Sequence, residues 1–128
     1  MATLKTLEEE KTKLLGIADI DVEIVDYLAL VNTFAGVETG ISCAGHSEEE
    51  CKGRKGATAI PYVQLFFKDT NKGAEFLKEI YKHGCHLFTS PCGVTVFSPQ
   101  AIHESPLPEQ RERFFTIIEN TLRRISQE

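Results

Sequence analysis

A chain of 128 residues, 41% of them apolar and 26% charged, is long enough to build one domain over 1–128 with its own core. Its formal charge of -5, from 14 Lys and Arg against 19 Asp and Glu, argues against broad nucleic-acid binding, which needs a basic face to neutralise phosphates. The first residues alternate charges with leucines and lack the apolar stretch of a secretory signal. Nor does any run approach the roughly 20 apolar residues of a membrane span. A cytosolic protein with no membrane partner is therefore expected, and its 4 cysteines should be thiols or metal ligands rather than disulfides.

Thr6 can cap a first helix, with Glu8, Glu9 and Glu10 favourable against its N-terminal dipole, and Gly16 closes it. Asp19 is placed to open a second helix. Its stripe would be Ile20, Ile24, Leu28, Val31 and Ala35, widened by Val25 and Phe34, with Gly36 as its stop. A first strand follows over 37–43. Residues 44–59 carry three glycines, three consecutive Glu and a Lys-Gly-Arg-Lys run, and read as a long exposed loop. The second strand, 60–67, is apolar on both faces apart from Gln64, which suits a central position with Pro61 at its beginning.

Asp69 or Thr70 caps a helix that should bury Phe76, Leu77, Ile80 and Tyr81 and stop at Gly84. Residues 85–90 and 94–98 read as a tight hairpin around Pro91-Cys92-Gly93. Ser105, Pro106 and Pro108 announce the last helix, whose stripe is Phe114, Phe115, Ile118, Leu122 and Ile125. That stripe should be core, with enough width for a homo-oligomer contact. Two hairpins flanking a helix predict an α+β fold, a four-stranded antiparallel sheet with helices packed on one face.

The chemistry concentrates at Ile41-Ser42-Cys43-Ala44-Gly45-His46, where a strand ends in a thiol, a glycine and an imidazole. Backbone amides freed by Gly45 can hold a carboxylate or phosphate. On that reading Ser42, Cys43, Gly45 and His46 form the ligand site, and Lys52, Arg54 and Lys55 of the loop add charge. The protein is then a small binding protein for a polar or anionic small molecule, with His46 solvent-accessible in a concavity.

Three further readings compete. Cys43, His46 and Cys51 form one cluster and Cys85, His86 and Cys92 another, and zinc takes four such ligands if the two hairpin ends are adjacent. Alternatively, Cys43 with His46 as base makes a cysteine-dependent group-transfer or hydrolytic enzyme, though the pattern supplies no orienting third group. An interaction or inhibitor protein of a mobile element is the remaining class, acting through the loop or the last helix.

At Ser42, Cys43 and Gly45 the segment resembles the Ser-Ser-Cys-Ser-Gly-Arg strand-loop of the small tRNA wybutosine-biosynthesis methyltransferase family, with His46 where that family has Arg. The resemblance implies a loop lying near a nucleoside and S-adenosylmethionine site. With Pro61-Tyr62-Val63 downstream, the segment also resembles small uncharacterised bacterial and phage proteins with a Cys-x-Gly-His then Pro-Tyr-Val pattern. That second resemblance implies a site and no activity.

Overall fold

The structure, a computed structural model, describes residues 6–17, 20–46, 60–90 and 93–126. Thr6 accepts from the Glu9 amide and starts α1 (Leu7–Leu15), with the three glutamates in its first turn. A one-turn 3₁₀ segment (Val22–Ile24) leads into α2 (Val25–Asn32). Ile24, Val25, Leu28 and Val31 are buried as the stripe requires. Ala35 is exposed instead, because α2 ends at Asn32 and position 35 falls in the turn before Gly36. Asp19 lies outside the described residues.

β1 (Val37–Cys43) has the expected bounds. The buried Asn32 ties it to α2, its Oδ1 accepting from the Thr39 amide at 2.7 Å and its Nδ2 donating to Thr39 Oγ1 at 3.0 Å. The pairing of β1 with β2 (Tyr62–Phe67) shifts register between Thr39 and Ser42. Such a bulge leaves a ladder amide unpaired. The Ile41 amide donates to Gln64 Oε1 at 3.3 Å, which accounts for the one polar residue of an otherwise apolar strand.

α3 (Thr70–Tyr81) is capped by Asp69, whose carboxylate accepts from the Asn71 and Lys72 amides. Phe76 and Ile80 are fully buried, while Tyr81 is 72% exposed and not in the core. It lies one turn after the half-buried Leu77, on the flank of the stripe rather than its centre. β3 (His86–Ser90) and β4 (Gly93–Phe97) make the second hairpin. A 3₁₀ turn (Gln100–Ile102) precedes α4 (Leu107–Ser126). All five residues of the α4 stripe are buried in the chain's own core. No helix among the described residues is long and apolar enough to cross a membrane.

The fold is α+β, with a wholly antiparallel four-stranded sheet ordered β1-β2-β4-β3. The two hairpins do not follow one another across it. The second docks through β4, so β2–α3–β3 is a crossover with β4 inserted between its strands. Val63, Leu65, Val94 and Val96 join the helix residues in one core. Alternation along the strands sends Tyr62, Phe66 and Phe97 to the opposite face.

The β3–β4 hairpin depends on Gly93. Its φ of +145° disfavours any side chain, and a Cβ there would lie 2.6 Å from the Leu65 carbonyl oxygen. Gly93→Ala is expected to lower stability by about 1–3 kcal/mol, read from the urea midpoint. An unchanged midpoint would show that the hairpin does not need this backbone conformation.

Candidate metal centre

β1 delivers Cys43 opposite Tyr62 at one end of the sheet. The chain then turns through Ala44 and Gly45 to His46. Gly45 has φ +81°, and a Cβ on it would sit 3.0 Å from both Leu107 Cδ2 and the Pro61 ring. Glycine is therefore required twice, for the backbone angle and for the space. His46 is only 2% exposed, so the expectation of an accessible imidazole is corrected.

A buried imidazole needs a partner. Asp21 supplies it from the entrance of the 3₁₀ segment, where a carboxylate usually caps. Its side chain makes no cap here. Oδ2 instead accepts from the Ala44 amide at 2.8 Å and lies 3.1 Å from His46 Nε2. The carboxylate is itself 12% exposed. Cys43, also 2% exposed, completes the group: one donor atom each from Asp21, Cys43 and His46 all lie within 4.8 Å of one another. Tetrahedral zinc with bonds of about 2.0–2.3 Å separates its ligand atoms by about 3.3–3.8 Å, so small side-chain adjustments bring these three onto one ion. Burial raises the pKa of the neighbouring Tyr62 phenol, and the nearby Cys43 and Asp21 raise it further.

The far side of the turn is held by α4. Arg111 Nε donates to the Ala44 carbonyl at 2.8 Å, and Nη2 donates to the Gly45 carbonyl at 3.1 Å.

Of the second sequence cluster, the described members Cys85 and His86 do not join this centre. Across the sheet, Cys43 faces Tyr62, Tyr62 faces Phe97 and Phe97 faces His86. Three strand spacings of about 4.8 Å put the Cys43 and His86 positions about 14 Å apart, beyond the reach of a shared ion. His86 is exposed on the outer strand, whereas Cys85 is buried. Neither Cys43 nor Cys85 is in a disulfide. Cys51, Lys52, Arg54, Lys55 and Cys92 lie outside the described residues. Ser42 is half-buried beside the centre and is not one of its donors.

Sequence reasoning missed Asp21 and gave Arg111 no role at the site. Asp19 and Asp21 both precede the second helix, and one cap needs only one of them; that surplus was the available signal for Asp21. Nothing in the spacing of Arg111 pointed to a turn 66 residues earlier. No protein family, curated protein or solved structure matches the chain.

Two outcomes test this geometry. His46→Ala leaves the Asp21 carboxylate short of a buried partner, so it should lower the stability of the metal-free protein by about 1–3 kcal/mol in urea at pH 7. An unchanged midpoint would mean that the pair contributes nothing to the fold. Separately, burial pushes the Cys85 thiol up to about 11, so it stays protonated well above neutrality. Native protein treated with iodoacetamide at pH 8.5 should leave Cys85 unmodified by peptide mass mapping. Alkylation there as fast as in the urea-unfolded chain would contradict its burial.

Proposed function

We propose that this protein is a metal-binding domain that holds one thiophilic divalent cation of the zinc class at Asp21, Cys43 and His46. The observation that carries the reading is the convergence of a carboxylate, a thiol and an imidazole within 4.8 Å, from a helix entrance and a strand end 22 residues apart. Thiolate, imidazole and carboxylate together suit zinc, whereas calcium and magnesium prefer all-oxygen sets. The metal would neutralise the Asp21 carboxylate and the Cys43 thiolate where water can reach neither well.

Two other uses of the same residues have less support. An anion cradled by the turn would need free amides, but the Ala44 amide is committed to Asp21, whose own charge repels an anion. The order Cys43, His46, Asp21 also reads as nucleophile, base and orienting acid, and the 3.1 Å contact between His46 and Asp21 favours it. At 2% exposure, however, neither Cys43 nor His46 gives a substrate room to approach.

Protein freed of metal by chelator should take up one equivalent of Co²⁺ and develop a thiolate-to-cobalt charge-transfer band. Zn²⁺ should displace it. Cys43→Ser should remove that band, and affinity should fall as pH is lowered because the ligands take up protons. Absence of both the band and Zn²⁺ binding in the wild-type protein would refute the metal reading.

A further inference from the structure

We infer that Arg111 is the positioning residue of this centre, setting the distance between Cys43 and His46; the inference rests on the metal reading above. Only Ala44 and Gly45 separate the two ligands. Glycine has the widest backbone freedom of any residue, so the turn's own chain does less than another sequence would to fix the Cys43–His46 spacing. Groups outside the turn contribute to it, Asp21 and Arg111 among them. Asp21 takes the Ala44 amide. Arg111 takes both carbonyls of the intervening residues with one planar guanidinium, Nε to Ala44 and Nη2 to Gly45.

The guanidinium fork orients two successive peptide planes at once, which a single ammonium cannot do. Its helix supplies the packing as well. Leu107 and Arg111 are four residues apart on α4 and share a face. Leu107 closes the space beside Gly45 while Arg111 holds its carbonyl. One turn of α4 therefore forms a mould for the ligand loop.

Charge and geometry pull in opposite directions at Arg111, which makes the inference separable from a general electrostatic effect. A fixed cation beside the centre opposes the binding of a second cation. Its hold on the two carbonyls favours binding by keeping the donors converged. Arg111→Lys keeps the charge and loses the fork; Arg111→Met loses both.

The test is a Zn²⁺ competition titration against a chromophoric chelator, with the Co²⁺ visible spectrum as a second readout. Both variants are expected to bind one equivalent with dissociation constants raised about 10–100-fold, the loss typical of removing a group that orients metal ligands. The Co²⁺ bands should shift or weaken while the far-ultraviolet circular dichroism stays that of wild type. Wild-type affinity in Arg111→Lys would overturn the inference. So would tighter binding in Arg111→Met, because charge would then outweigh positioning. If Arg111→Met fails to fold, Arg111→Lys decides the matter alone. Metal binding by wild type with no loss in the variants sinks only the role of Arg111. No binding by wild type sinks the centre itself.

Discussion

One carboxylate joins the two ends of this architecture. Asp21 leaves the helix entrance where it would ordinarily cap and reaches the end of β1, where it accepts from the Ala44 amide and meets His46. A mostly buried charge is tolerated only with partners that replace its water. Here its partners include an amide and an imidazole from one short turn. The N-terminal helices and the sheet are thus linked by polar groups at this end, while Asn32 and Thr39 make a similar polar link between α2 and β1. Apolar packing of Ile24, Leu28 and Val31 fills the space between the two links.

The sequence was legible wherever a local pattern decides the outcome. Val37–Cys43 emerged as a strand with its observed bounds because Gly36 stops the preceding helix and β-prone residues follow. The stripes of α3 and α4 followed from helical spacing, and Gly45 was recognised as a point where the backbone needs freedom. Failures began where tertiary partners decide. Tyr81 has the spacing of a core residue but lies on the flank of its stripe, a position set by what α3 packs against. His46 seemed too polar to bury, and its partner lies 25 residues earlier with nothing in the intervening chain to announce it. Strand order was equally hidden. Hairpins are read from adjacent residues, but only long-range pairing decides that β4 rather than β3 meets β2. That one choice keeps His86 away from Cys43, which sequence alone allowed to share an ion.

Arg111 shows how a scaffold residue and a site residue can be the same. Its helix is held in the core by Phe114, Ile118 and Leu122. Tyr27 of α2 stacks on Phe115 with rings 5.0 Å apart and nearly parallel. The guanidinium therefore projects from a well-packed helix onto the Ala44–Gly45 turn, an arrangement that would suit precise placement of ligands under the metal reading.

The inserted position of β4 also bears on how the chain is made. Among the described residues β3 has one neighbour in the sheet, and that neighbour follows it in sequence. As a ribosome extends the chain, β1 and β2 can pair and α3 can form, but β3 emerges with no strand to receive it. Its Phe88 remains 70% exposed even in the finished fold. Until β4 arrives and slots in beside β2, a nascent chain carries both an unpaired strand edge and an aromatic side chain in water, the combination that holding chaperones recognise and that invites pairing between neighbouring chains.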